Sequence, residues 1–166
     1  LLDFTLSLRN DDNERFGSHS TGSIAIGSDV GQSVRAWVSY GTAFKAPNLI
    51  DLYVDFPSFF FFANPNLKPE TAESVELSLQ AEALGATWRL NVFRNDIDDL
   101  ISTDAAFTSL ANIQEARIDG MEATVSSTIA GWRLDAALTF LDHENRSTGV
   151  NLLRRPEQTL SLNIAR

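Results

Sequence analysis

The sequence predicts an all-β protein, an antiparallel up-and-down transmembrane β-barrel, with about eight strands within residues 1–166. Three observations predict it. Apolar residues recur at alternate positions along nearly the whole chain, the spacing that sends successive side chains to opposite faces of a strand. The connections between these runs are short and long by turns. No stretch approaches the ~20 consecutive apolar residues that a spanning helix requires, whereas a barrel strand needs only ~9 to 11 residues with alternate ones facing lipid.

In the first run Leu2, Phe4, Leu6 and Leu8 alternate with Asp3, Thr5, Ser7 and Arg9. The second, about 20 to 28, carries Ile24 and Ile26 among small residues. Val34, Ala36, Val38 and Tyr40 make the third, and Val75, Leu77, Leu79 and Ala81 the fourth, set against Ser74, Glu76, Ser78, Gln80 and Glu82. Trp88, Leu90 and Val92 form the fifth, Trp132 through Phe140 the seventh, and Leu160, Leu162 and Ile164 the eighth. The sixth changes parity: Ala116 and Ile118 hold one phase and Met121, Ala123 and Val125 the other. A β-bulge at Gly120 is expected to restore the register.

Tight turns are predicted at Asp29 to Gln32, Leu84 to Ala86 and Ala130-Gly131, and long connections at Asn10 to His19, Ala43 to Glu70, Asn95 to Asn112 and Asp142 to Leu152. Outer-membrane barrels alternate short periplasmic turns with longer outer loops in this way. About ten residues at ~3.3 Å each, tilted by ~45°, cover the ~25 Å apolar band of such a membrane. Trp88 and Trp132 each follow a short turn, placing an indole at the periplasmic interface. The opposite faces carry Asp3, Arg9, Arg35, Glu76, Glu82, Arg89, Arg133 and Asp135, which a polar lumen accepts. A soluble β-sandwich would also carry an outward charged face, but it gives no reason for long loops at one end only.

Composition narrows the function. A net charge of −9 argues against a nucleic-acid partner, which needs clustered Lys and Arg. With no cysteine there is no disulfide, thiolate metal site or cysteine nucleophile. Mean hydropathy of −0.10 fits a barrel strand as well as a soluble domain. The chain opens Leu1-Leu2-Asp3-Phe4-Thr5 inside an alternating run and without a readable secretion signal, so it is expected to begin mid-protein.

The stretch Tyr40-Gly41-Thr42-Ala43-Phe44-Lys45-Ala46-Pro47-Asn48-Leu49, with Leu52-Tyr53, resembles the TonB-dependent receptors. So do Asn64-Pro65-Asn66-Leu67-Lys68-Pro69-Glu70 leading into Glu73-Ser74-Val75-Glu76-Leu77, the segment from Arg94 to Ile101, and the segment from Ala116 to Ala123, all in the family's order. Leu152-Leu153-Arg154-Arg155-Pro156, taken with the stretch from Tyr40 to Asn48, is most similar to the vitamin B12 (cobalamin) receptors, with much shared by ferric-siderophore receptors. The resemblance implies a barrel of about twenty-two strands, closed by a plug domain that engages the TonB complex, in the outer membrane of a Gram-negative cell. Its partners would be outer-membrane lipid and a cobalamin or ferric-siderophore substrate. Residues 1–166 match an interior part of that barrel; plug and carboxy-terminal strands match nothing in them.

The residues themselves point to binding rather than catalysis. Pro47, Pro65 and Pro69 stiffen the longest loop, and Asn64, Asn66, Leu67 and Glu70 complete its motif. Five phenylalanines in Phe56-Pro57-Ser58-Phe59-Phe60-Phe61-Phe62 must find cover in the barrel mouth, in lipid or on a ligand. Tyr53, Phe59, Phe60 and Asp96 are the candidate ligand contacts. His19 and His143 fall in predicted loops, and Ser18-His19-Ser20 is read as a polar loop tip rather than a nucleophile with its base. No catalytic residue, resident cofactor or metal site is expected. The acidic groups Asp11-Asp12-Asn13-Glu14 and Asp96-Asp98-Asp99 lack EF-hand spacing, although calcium in outer loops accompanies the cobalamin-receptor resemblance. A passive pore without energy coupling is the remaining barrel alternative.

Overall fold

In the computed structural model, which describes residues 1–166 with the side chain of residue 114 set aside, one antiparallel sheet accounts for most of the chain. Its strands are β1 (Leu2–Asn13), β2 (Gly17–Val30), β3 (Val34–Lys45), β4 (Glu70–Ala83), β5 (Ala86–Thr103), β6 (Leu110–Ile129), β7 (Trp132–Asn145), β8 (Val150–Asn151) and β9 (Gln158–Ala165). Neighbours in sequence are neighbours in the sheet, except that β7 pairs with both the two-residue β8 and the longer β9. Eight long strands therefore make an up-and-down wall, as the periodicity predicts.

Register turns the alternation of each strand into two continuous faces. Hydrogen-bonded pairing aligns Phe4, Ile26, Val38, Leu77, Val92, Met121 and Phe140 in one row across seven strands. One position away, Asp3, Gly27, Trp37, Ser78, Asn91, Glu122 and Thr139 form the row on the opposite face. The first face leaves Leu6, Leu77 and Leu162 exposed, as a lipid-facing surface does. The second is polar and pairs internally: Arg35 bridges Asp3 and Asp29, Arg89 donates to Gln80 at 3.0 Å, and Asp135 accepts from Arg133 at 2.9 Å and Ser126 at 2.5 Å. This arrangement is stable only with lipid on one side and a wet lumen on the other. No helix of the described residues is long and apolar enough to cross a membrane.

The apolar face ends abruptly above Val92 and Met121. The next residues on that side are Arg94 and Asp119, joined by two hydrogen bonds of 2.6 and 2.8 Å, followed by Arg117 and Asp96 at 2.6 Å. At the other end Trp88 donates from its indole to the Ala83 carbonyl at 3.1 Å, close to the Leu84-Gly85 turn. Positive φ at both Leu84 and Gly85, and at both Ala130 and Gly131, gives these hairpins the primed turns that match strand twist.

Two expectations are corrected. The connections at Asn10 to His19 and Asn95 to Asn112 are mostly strand: the β1–β2 ladder runs to Asn13 opposite Gly17, and the β5–β6 ladder to Thr103 opposite Leu110. Residues 142–145 likewise belong to β7. Beyond lipid a strand no longer needs an apolar face, so polar runs such as Asn95-Asp96-Ile97-Asp98 read as loop while their backbones still pair. There is also no bulge at Gly120, because β6 pairs without a register shift there on both sides. Ala116 and Ile118 instead face inward and join Leu100 and Leu152 in a buried cluster, with Phe93, Ile97, Ile113 and Leu141 against it. Gly120 lies opposite Phe93, whose ring occupies the space where a Cβ would stand. The parity change marks an inward core at the mouth end of the wall.

Gly120→Val should therefore destabilise the barrel of the full-length protein, lowering its heat-modifiable electrophoretic transition. Adding Phe93→Ala should restore much of the loss, and a bulge at this position would predict no such rescue.

Candidate functional site

The mouth end is organised by the connection between β3 and β4, residues 46–69. Asn48 caps a short helix, α1 (Leu49–Tyr53), by accepting from the Asp51 amide at 2.8 Å, and Leu52 buries its side chain beneath it. The chain then turns through a single 3-10 turn, Pro57–Phe59, closed by Phe60 in the left-handed region at φ 52°. Phe56 and Phe61 bridge across that turn, and the Phe62 amide donates to the Thr108 carbonyl at 2.7 Å. The aromatic tip is thus fixed by its backbone.

The Asn64-to-Glu70 motif explains why. The Asn64 amide nitrogen donates to the Leu110 carbonyl at 2.8 Å, its side-chain oxygen accepts from the Asn66 amide at 3.0 Å, and its backbone N–H donates to Asp51 at 2.8 Å. Leu67 is only 2% exposed. Asn112 accepts from the Lys68 amide at 2.9 Å and donates to the carbonyls of Lys68 at 3.0 Å and Asp99 at 2.6 Å. Glu70 accepts from the Ile101 amide at 2.9 Å and pairs with Lys45 at 3.0 Å. From the other side Arg15, in the β1–β2 turn, donates to the Pro65 carbonyl and lies 5.2 Å from the Tyr53 ring centre. Pro65 and Pro69 add rigidity between these anchors.

Held in this way, the loop presents aromatic surface that folding does not cover. Tyr53 is 57% exposed, Phe59 80% and Phe60 74%. Asp96 is not with them: it sits on β5, on the outward side above the apolar band, engaged by Arg117. Of the four candidate contacts, Tyr53, Phe59 and Phe60 lie on this loop and Asp96 on β5.

A second connection, residues 146–157, folds back over the polar face of the wall. Leu152 enters the cluster of Leu100, Ala116 and Ile118. His143 lies on β7, not in a loop, and is 2% exposed. The Leu152 amide donates to its Nδ1 at 3.2 Å, and its Nε2 lies 3.0 Å from the Arg155 carbonyl, to which it donates. Leu141 donates to the Glu157 carbonyl at 2.8 Å, and Asn151 to the Glu157 carboxylate at 2.7 Å. This latch was hidden from sequence reading by the polar residues around His143, although its parity with Leu141 places it on the inward face.

The remaining polar groups are occupied in ways that do not assemble a catalyst. Ser18 and Ser20 both donate to Asn10, while His19 donates to the Phe16 carbonyl and stacks on Phe44 at 3.7 Å. Asp11 pairs with Arg9 at 2.6 Å, and among the described residues no three His, Asp or Glu side chains converge on a cation site. Asp104 closes the β5–β6 turn. Hydrogen bonds led by the Thr108 amide, with Ser109, Phe107 and the Thr108 hydroxyl, hold its carboxyl below the ordinary carboxylate value against an opposing effect of desolvation.

The sequence matches the family described as "TonB dependent receptor-like, beta-barrel" over residues 1–166. The chain belongs to this family. Solved structures of similar fold include the siderophore receptor PirA from Pseudomonas aeruginosa, 25% identical over 86% of this chain and 28% of that one, with a TM-score of 0.74. A mutant ferric enterobactin receptor PfeA from the same organism, in complex with enterobactin, is 22% identical over 98% of this chain and 28% of its own, at a TM-score of 0.77. The copper transporter OprC is 22% identical over 89% of this chain and 23% of its own, at 0.72. The TonB-dependent receptor chain described here thus spans about a quarter of the length of these relatives.

Glu70→Ala strands the Ile101 amide in a partly buried site, a cost of about 1–3 kcal/mol; loop 46–69 should then be cleaved faster by added protease while the heat-modifiable transition of the barrel stays nearly unchanged. Because the folded Asp104 carboxyl titrates below its unfolded value, its contribution to the turn is complete above about pH 4 and is lost as pH falls through the lower, folded value. Amide exchange at Thr108 and Ser109 should accelerate on acidification relative to the intrinsic rate, and Asp104→Ala should remove that dependence.

Proposed function

We propose that this chain is wall and outer loops of an outer-membrane receptor in a Gram-negative cell. The receptor takes up a bulky metal chelate, of the ferric-siderophore class rather than cobalamin, and draws energy from the TonB complex through a plug domain. The observation that carries the reading is the anchored aromatic tip. Tyr53, Phe59 and Phe60 stay exposed on a loop anchored by the Asn64 and Glu70 side chains, the Lys68 amide and buried Leu67, so little entropy is lost when a ligand lies against them. Flat ligand rings stack on such side chains, each contact contributing about 0.5–1.5 kcal/mol beyond area burial.

Siderophore receptors recur among solved structures of this fold, and a copper transporter stands beside them, which supports a metal chelate over the corrinoid suggested by the segment from Leu152 to Pro156. Asp96, already neutralised by Arg117 on the outward side, is left out of the proposed contact set. No enzyme activity is proposed, since the site offers binding surface without a nucleophile or base in reach of one another.

The test is uptake by cells that express the full-length gene and lack other receptors, using radiolabelled ferric catecholate, ferric hydroxamate and cyanocobalamin. Energy-dependent uptake of a ferric chelate is expected, reduced about tenfold or more by joint replacement of Tyr53, Phe59 and Phe60 with Ala. Uptake of cobalamin alone would overturn the substrate class, and uptake indifferent to loss of TonB would favour a passive pore.

A further inference from the structure

The lipid-facing side of the wall is not evenly filled. In the row through Leu79, Leu90, Ala123, Leu138 and Leu160, a single alanine stands between leucines on both neighbouring strands. In the next row toward the short turns, Val125 and Ala136 lie between Trp88 and Leu162, and Ala81 lies on the far side of Trp88. The three alanines are half-buried, whereas Trp88, Leu90, Leu138 and Leu160 stay exposed. The result is a furrow of about 340 Å³, with alanine at its floor and tryptophan and leucine along its walls.

Its shape is fixed by the fold. Floor and walls belong to paired strands, and the Trp88 indole is held by the Ala83 carbonyl at 3.1 Å. Adjacent strands stand ~4.8 Å apart, so two leucines with one alanine-bearing strand between them leave a channel about one hydrocarbon chain wide. A helix, about 10–12 Å across with its side chains, does not enter it. A methylene fills about as much space as a water molecule in the liquid, about 30 Å³, so the furrow takes roughly ten of them. Every outward side chain that lines it is apolar, and it is continuous with the band that faces lipid. Its lower end lies toward the Leu84-Gly85 and Ala130-Gly131 turns, which puts it in the periplasmic leaflet.

We infer that this furrow is a binding site for one acyl chain of a phospholipid in the periplasmic leaflet. The inference rests on the membrane-barrel reading and is independent of the substrate class proposed above. Because lipid tails are as apolar as leucine, burial of apolar area does not distinguish the furrow from the rest of the wall; contact on three sides does. A chain on a flat row touches protein on one side only. Here alanine lies beneath it, Trp88 and Leu90 on one flank, and Leu138 and Leu160 on the other.

Ala123→Leu with Ala136→Leu fills the furrow and keeps the surface apolar, and Ala123→Leu alone is a milder form of the same change. Ala36→Leu, on the same face but outside the furrow, is the control. Full-length receptor, delipidated in detergent, is titrated with a phosphatidylethanolamine whose acyl chains are brominated. Trp88 emission is read as the difference between each protein and its Trp88→Phe counterpart. Wild type and control are expected to show quenching that saturates at a single lipid, with binding to the filled variants about tenfold weaker and their heat-modifiable transition preserved. Quenching that rises with lipid without saturating overturns the inference, as does equal affinity in the filled variants or an equal loss in the control. Self-association through this face, lost in the filled variants, overturns it in favour of a second copy. Each of these outcomes leaves the barrel in its membrane; a receptor absent from the outer-membrane fraction overturns the membrane reading as well.

Discussion

Every part of this structure depends on backbone hydrogen bonding that must be completed within the sheet. In a hydrocarbon layer an unpaired N–H or C=O has no water to turn to, so a spanning strand is stable only between two partners. The ladders from β1 to β7 supply them without a register slip, and β9 extends the wall along β7. Because side chains alternate with period two, one unbroken register is enough to place every apolar row on lipid and every charged row on the lumen. A slip of one residue in any strand would turn Arg35 or Arg89 outward and Val38 or Leu90 inward.

The same ladder continues past the membrane, where its purpose changes. Above Val92 and Met121 the outward face becomes a set of ion pairs, Arg94 with Asp119 and Arg117 with Asp96. The inward face becomes apolar, with Ile97, Ala116 and Ile118 forming a small core. Water now surrounds the outside of the wall and the core hides from it inside, the inverse of the arrangement in lipid. Phe93 over Gly120 sits at the crossover. That inversion gives the two long connections something to pack against. Leu152 docks on the inward core, and Asn64, Lys68 and Glu70 tie the β3–β4 loop to the protruding β5–β6 hairpin.

A wall built of paired strands is rigid, and loops anchored to its extensions inherit that rigidity, so the exposed aromatic rings of the β3–β4 loop are held in place by the fold. The motif from Asn64 to Glu70 anchors this loop: the Asn64 side chain bonds the Leu110 carbonyl of β6 and the Asn66 amide within the motif, and Glu70 accepts from the Ile101 amide of β5. His143 performs the same task for the second connection.

From sequence alone the fold class, the eight long strands, their lipid and lumen faces, the three tight turns and the family were legible, because period-two alternation and turn chemistry act locally. The aromatic tip was legible as a segment needing an explanation. What the sequence misplaced lay beyond the membrane: the paired ends of β1, β2, β5 and β6 read as loops, the change of parity at Gly120 read as a bulge, and His143 read as a loop residue. In each case alternation stops being informative where lipid no longer lines one side. Only the tertiary structure decided which face a polar strand turns inward, and which arginines find a carboxylate, because both depend on neighbours brought together by pairing rather than by sequence.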